Sequence, residues 1–172
     1  MIDGNVRTLI LGSFPSERSL AKRQYYGHPQ NQFWKLVGQI IDLPLHEMRY
    51  RERLSALLAH RIGLWDVIDQ CERTGSLDSA IRNATRNRFH RVMRVATEMR
   101  RVCFNGKTAG RLERVFAGWG YETAVLPSSS PANTTPFPVK LCAWRKAFAT
   151  GEVIGGRTTG HRSPVVGRAS SC

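Results

Sequence analysis

The sequence predicts an α/β fold built on a central four-stranded parallel sheet, and three observations lead there. Four short runs, 6–11, 62–67, 101–104 and 121–126, are apolar and rich in β-branched and aromatic residues, the signature of strands. Between them lie stretches whose apolar residues recur every three to four positions, the period of a helix. Strands that alternate with helices need crossover connections, so the sheet is parallel and covered on both faces.

Each element has its own justification. The first strand, 6–11, is stopped by Gly12, and 16–22 reads as a short helix or an ordered loop. From Asn31 the pattern turns helical through Phe33, Val37, Ile40 and Ile41, until Leu43-Pro44 ends it. A second helix runs over 50–60 through Leu54, Leu57 and Leu58, and the second strand follows. Ser76 looks like the cap of a further helix, and 89–99 reads as a basic amphipathic one. After the third strand come Asn105-Gly106, a helix over 108–116 and the fourth strand. The polar loop 127–133 then leads to a last helix, 139–148, carrying Leu141, Trp144 and Phe148. Two units are expected: a domain over 1–150, and a flexible basic tail over 151–172, where five Gly occur with little that is large and apolar.

Composition narrows the partners. At 172 residues the chain can bury one full core. Lys and Arg number 26 against 13 Asp and Glu, a net charge of +13. Such an excess attracts polyanions, of which nucleic acid is the commonest. The four cysteines are widely spaced, with no C-x-x-C pair; this argues against a zinc or iron–sulfur site and fits a reduced, cytoplasmic protein. No apolar run approaches the ~20 residues of a membrane span, and no signal peptide is expected.

In open parallel sheets ligands bind beyond the carboxyl ends of the strands. Here those ends hold Gly12–Ser16, Asp66, Asn105-Gly106 and 127–133, the unusual polar and Gly/Pro residues of the chain. They are expected to converge on one cleft. Beside them stands Tyr25-Tyr26-Gly27-His28-Pro29-Gln30-Asn31-Gln32-Phe33-Trp34, whose rings, broken by Gly27 and Pro29, suit the walls of a slot for a flat ligand such as a nucleobase. Familiar catalytic patterns are missing. Gly106-Lys107-Thr108 lacks the upstream Gly of a phosphate loop, His46-Glu47 lacks the second His of H-E-x-x-H, and there is no G-x-S-x-G elbow. Carboxamides, hydroxyls and one carboxylate remain. Amide donors can stabilise a base leaving as an anion while a positioned water attacks the sugar, which is what cleavage of an N-glycosidic bond requires.

The combination of Leu11-Gly12-Ser13-Phe14-Pro15-Ser16, Tyr26 to Trp34, Leu64-Trp65-Asp66-Val67, Phe104-Asn105-Gly106 and Ser128 to Asn133 resembles the uracil-DNA glycosylase superfamily, in its hypoxanthine-DNA (deoxyinosine) branch. The resemblance covers roughly residues 6–148 and implies a three-layer α/β/α sandwich. It further implies excision of deaminated bases from double- or single-stranded DNA, by a monomer without metal or cofactor. Many branches carry Asp or Asn in the first motif where this chain has Phe14, so the resemblance implies that Asn31 is the catalytic amide, with Asn105 in support. Gly12, Ser13, Phe14, Phe33 and Asp66 would bind the base. Ser16, His28, Ser128, Ser129, Ser130, Pro131, Ala132 and Asn133 would meet the DNA.

The same residues have plainer readings. Asn31 suits a helix cap, Asn105-Gly106 a turn, Asp66 a partner for an Arg and His28 a turn position. Activity on uracil or mismatched bases is the alternative within the same class. Outside it stand a non-catalytic nucleic-acid-binding module and a sugar-nucleotide enzyme on a similar sheet.

Overall fold

The computed structural model describes residues 1–13, 17–67 and 89–149. In chain order the elements are β1 (Thr8–Gly12), α1 (Glu17–Lys22), α2 (Phe33–Ile41), α3 (Tyr50–Ala59) and β2 (Ile62–Asp66). Helix α4 is described over residues 89–95. Then come β3 (Arg101–Asn105), α5 (Lys107–Gly110), α6 (Glu113–Gly118), β4 (Glu122–Leu126) and α7 (Phe137–Ala149). The strands form one sheet in the order β2-β1-β3-β4, every pair parallel. The expected α/β class and four-stranded parallel sheet are therefore present.

Alternation along the strands sorts the core into two layers, because successive side chains leave opposite faces of a sheet. Leu9, Leu11, Val102 and Phe104 point to one side and pack with Phe89 and Val92 of α4, Ala109 of α5 and Phe116 of α6. Ile10, Leu64 and Cys103 point to the other and pack with Phe33, Leu36 and Val37 of α2, Leu57 of α3 and Trp144 of α7. The β1-to-β2 crossover thus runs over one face and the β3-to-β4 crossover over the other. Strand order reverses between β1 and β3, and at such a switch point the carboxyl ends of two neighbouring strands open a crevice.

Three boundaries differ from the sequence expectation. The helix expected over 108–116 is two short ones, α5 and α6, joined at Arg111-Leu112. Gly110 explains the break: a Cβ there would lie 2.8 Å from Cγ1 of Val125, so α5 approaches β4 too closely for any other residue, and glycine is a poor helix former. The helix expected to reach 99 ends at Val95, where the chain turns through Ala96 to bring Arg100 to the foot of β3. Helix α7 starts at Phe137, earlier than expected, with Pro138 in its first turn, a position where the missing N–H costs nothing. The helix start at Ser76 and the tail over 151–172 lie outside the described residues. Among the described residues no helix is long and apolar enough to cross a membrane.

Trp144 ties one core layer to the site above it. Its ring is fully buried and meets Phe33 edge-on at 5.9 Å, while its Nε1 donates to the carbonyl of Pro127 at 2.9 Å. Trp144→Phe is expected to cost about 1 kcal/mol for the lost hydrogen bond, and Trp144→Ala about 3–5 kcal/mol for the cavity. Urea denaturation of both variants measures the difference.

Candidate active site

At the carboxyl edge of the sheet a cavity of about 400 Å³ opens, lined by Gly12, Ser13, Tyr25, Tyr26, Asn31, Asp66, Asn105 and Ser128 to Ser130, among others. Its size is within the range of small-ligand sites. Ser13, Asp66, Asn105 and Ser130, drawn from four separate strand ends, share it, as the sheet rule requires. The strand register sets the floor: Gly12 lies directly beside Asp66 in the β1–β2 pairing. A Cβ on Gly12 would stand 2.6 Å from Oδ1 of Asp66 and 3.1 Å from the Tyr26 hydroxyl. Only glycine leaves room for the carboxylate and the phenol together.

Asn105 ends β3 and is buried. Its Nδ2 donates to Oγ of Ser129 and its Oδ1 accepts the Ser129 N–H, both at 2.8 Å. Ser129 in turn accepts the N–H of Gln32 on its carbonyl. This two-bond clasp joins the end of β3, the loop after β4 and the start of α2. Gly106, with φ of 98°, makes the turn beside it, and a Cβ there would meet that of Ser128 at 3.0 Å.

Asn31 precedes α2. Its Oδ1 accepts the N–H of Phe33 at 2.9 Å, a turn bond made from the residue before the N-cap, which is Gln32 and has no side-chain cap of its own; Asn31 braces the helix start from outside it. That bond also orients the amide. With the oxygen held by the backbone, Nδ2 is the group left to donate, and it makes no hydrogen bond among the described residues. The turn bond thus leaves the amide nitrogen of this cavity-lining residue unspent.

The aromatic wall differs from expectation. Phe33 does not line the cavity; it is fully buried, with the Tyr26 ring stacked on it at 3.7 Å and 12°. Trp34 is core as well, set edge-on against Phe33 and Tyr50. Tyr26 supplies the wall instead, held at φ of 52°, an unusual conformation for a bulky residue. The adjacent Gly27 N–H donates to Oγ of Ser19, which fixes the turn. Tyr26 stands among the rings expected to wall a slot, but the base-binding set named Phe14 and Phe33 and overlooked Tyr26. Tyr25, Tyr50, Ser19, Arg23 and Gln24 also line the cavity. Phe14 and Ser16 lie outside the described residues.

The loop 127–133 is braced from within. The Ser130 N–H donates to Oγ of Ser128, the Ala132 N–H to Oγ of Ser130, and Nδ2 of Asn133 to the Ser128 carbonyl. Ser129 is fully buried and Asn133 is a brace, so the surfaces left to an outside partner are those of Ser128, Ser130, Pro131 and Ala132. His28 does not line the cavity; its Nδ1 accepts the Gln30 N–H at 3.2 Å, a turn role. Lys140, also overlooked, is almost completely buried. From α7 its ammonium donates to Oε1 of Gln32 at 2.9 Å and to the Asn133 carbonyl at 2.8 Å, pinning the loop to the start of α2.

Electrostatics set Asp66 apart. Burial pushes its carboxyl up to about 6, offset in part by the terminal ammonium of Met1. Burial likewise raises the Tyr25 and Tyr26 phenols, with the nearby Asp66 adding to both, so both stay neutral donors. Among the described residues no group of three or more His, Cys, Asp or Glu is placed to hold a metal ion.

Removing the clasp measures its worth. Ser129→Ala would leave the Asn105 Nδ2 buried without its partner, at a cost of about 1–3 kcal/mol. Chemical denaturation checks this; a change within error would show the clasp to be replaceable.

The model of the uracil DNA glycosylase superfamily matches residues 1–149. The chain is 45% identical over 148 residues to a hypoxanthine DNA glycosylase of Methanosarcina acetivorans, covering 86% of this chain and 94% of that one. A hypoxanthine DNA glycosylase of Methanosarcina barkeri is 43% identical with the same coverage. A solution NMR structure from Methanosarcina acetivorans, solved as a candidate uracil DNA glycosylase, superposes with a TM-score of 0.74 at 44% identity, covering 87% of this chain and 92% of that one. With the switch-point cleft and its motif residues, these matches establish that the chain belongs to the uracil DNA glycosylase superfamily.

Proposed function

We propose that this protein is a monofunctional DNA glycosylase that releases hypoxanthine from deoxyinosine in DNA, acting as a monomer. The observation that carries the reading is the cavity-lining Asn31, whose Oδ1 is spent on the helix and whose Nδ2 has no partner among the described residues. Similarity at 45% and 43% to two hypoxanthine DNA glycosylases supports the choice of base.

The chemistry follows from the geometry. The target nucleotide leaves the stack and enters the cavity, where Tyr26 offers a ring face. As the bond from the sugar C1′ to the base breaks, its electron pair goes to the base. The Asn31 amide donates to that growing negative charge, an interaction stronger in the transition state than before it. A water adds its oxygen to C1′ and gives its proton to Asp66. Asn105 positions Ser129 and the wall of the cavity and is itself held by two bonds. Ser128, Ser130, Pro131 and Ala132 face the DNA backbone.

Two experiments test this. Asn31→Ala is expected to slow single-turnover base release by about 100–1,000-fold, the usual effect of losing one preorganised donor, and to leave DNA binding nearly intact. Asn31→Asp keeps an oxygen for the Phe33 N–H but loses the amide donor, and is expected to be as slow while melting near wild type. Fast release by either variant removes Asn31 from the mechanism.

The second experiment is the pH profile. Asp66 acts as its carboxylate, so the rate should rise with pH and level off above about 6. Asp66→Asn should be slow and flat over the same range. Stability runs the other way. The fold raises this carboxyl above its unfolded value, so the native state binds the proton more tightly, and this contribution is lost as pH rises through about 6. A wild-type rate independent of pH between 4 and 8 would contradict a role for the carboxylate, on the ~2-unit span each side of such a titration.

A further inference from the structure

A second groove, of about 800 Å³, lies at the opposite edge of the sheet. It is lined by the first residues of all four strands, Thr8, Ile62, Arg101 and Glu122, so it is the amino-edge counterpart of the cavity. Five arginines line it against two carboxylates, Asp42 and Glu122. One of the five, Arg101, is buried and accounted for: it bonds Glu122 through Nε and Nη2 and the Phe148 carbonyl through Nη1. Three others are exposed side by side. The Arg7 N–H donates to the Arg61 carbonyl, and the Arg100 N–H to the Arg7 carbonyl, which fixes Arg61, Arg7 and Arg100 as a row across the lead-ins to β2, β1 and β3.

The row is not what the backbone or the core needs. Adjacent strands are ~4.8 Å apart, and like charges at that spacing repel. Asp42 and Glu122 share the groove, but among the described residues the one ion pair made by the row is that of Arg7 with Glu98, 4.0 Å apart with both side chains about half exposed, a weak pair. Arg61 has φ of 58°, where glycine or asparagine is the undemanding choice. Helix ends meet here too, and cations favour helix C-termini, but the bonds to those carbonyls come from Arg101 and Arg145, not from the row.

We infer that the Arg61–Arg7–Arg100 row is a second site for phosphodiester backbone, which lets one protein hold a second segment of duplex DNA while the first lies over the cavity. The inference rests on the proposed DNA substrate. The two sites sit at opposite ends of five-residue strands, ~16 Å of sheet plus its loops. Duplex DNA is stiff over ~150 base pairs, so a short duplex on the cavity does not curl round to the row. Two segments are needed, and holding both permits direct transfer between them during a search.

The test is a bridging assay. A short undamaged duplex is fixed to beads, a second carries a dye, and the protein is asked to retain the second on the first. Wild type is expected to bridge. Arg7→Gln/Arg61→Gly/Arg100→Gln, with glycine chosen to suit the backbone at 61, should lose bridging by ~10-fold or more as phosphate contacts are removed. The same variant should still excise base from a short deoxyinosine duplex at the wild-type rate. A charge-matched variant on exposed positions of α4 and α6, Arg91→Gln/Arg94→Gln/Arg114→Gln, should still bridge, and lysine at 7, 61 and 100 should restore it. No bridging by wild type, an equal loss in the charge-matched variant, or bridging that survives the triple substitution through self-association overturns the inference. So does saturation of the row by free tripolyphosphate without any capture of duplex. Excision in the same samples separates the two readings: absent excision in wild type strikes the proposed activity, while normal excision without bridging strikes only the second site.

Discussion

The clasp between Asn105 and Ser129 is the constraint on which the site depends. Two hydrogen bonds of 2.8 Å close a ring between the end of β3 and the loop after β4. The Ser129 carbonyl then anchors Gln32, one residue after Asn31. Three segments far apart in sequence are so fixed that the Asn31 amide, the loop at the mouth and the Tyr26 wall share one geometry. A buried polar network of this kind is costly when partly satisfied and specifying when complete, and among the described residues no buried side-chain polar atom is left without a partner.

Helix α7 holds the same assembly from below. Lys140 and Trp144, one helical turn apart, each reach a carbonyl of the mouth loop, Asn133 and Pro127. Burial lowers the proton affinity of the Lys140 ammonium, yet its hydrogen bonds to Gln32 and Asn133 keep it in place. Loops that carry function are usually the mobile parts of a fold; this one is bolted to the core by two side chains of a single helix.

Much of this was legible in the sequence, for identifiable reasons. The four strands and their parallel arrangement follow from period and alternation. The sheet rule then brought Ser13, Asp66, Asn105 and Ser130 to one cavity without any coordinates. Side-chain orientation was not legible. Phe33 was expected to bind the base, but it is buried like Trp34, because Tyr26 covers it through a positive φ that sequence does not announce. Ser129 looked like its neighbours Ser128 and Ser130, and only burial separates it as a brace. Lys140 is a long-range partner, 108 residues from Gln32, and no local pattern marks it. The Gly110 break in the helix after β3 likewise depends on Val125, a contact between elements.

The central claim is that this cleft breaks the bond between hypoxanthine and deoxyribose. Its most direct measurement is chromatography of the free base after single-turnover incubation with a duplex carrying one deoxyinosine, alongside a matched duplex carrying deoxyadenosine. The account predicts release of free hypoxanthine from the first, with an abasic strand left behind, and no release of adenine from the second. Tight binding of the deoxyinosine duplex with every base still attached would contradict it.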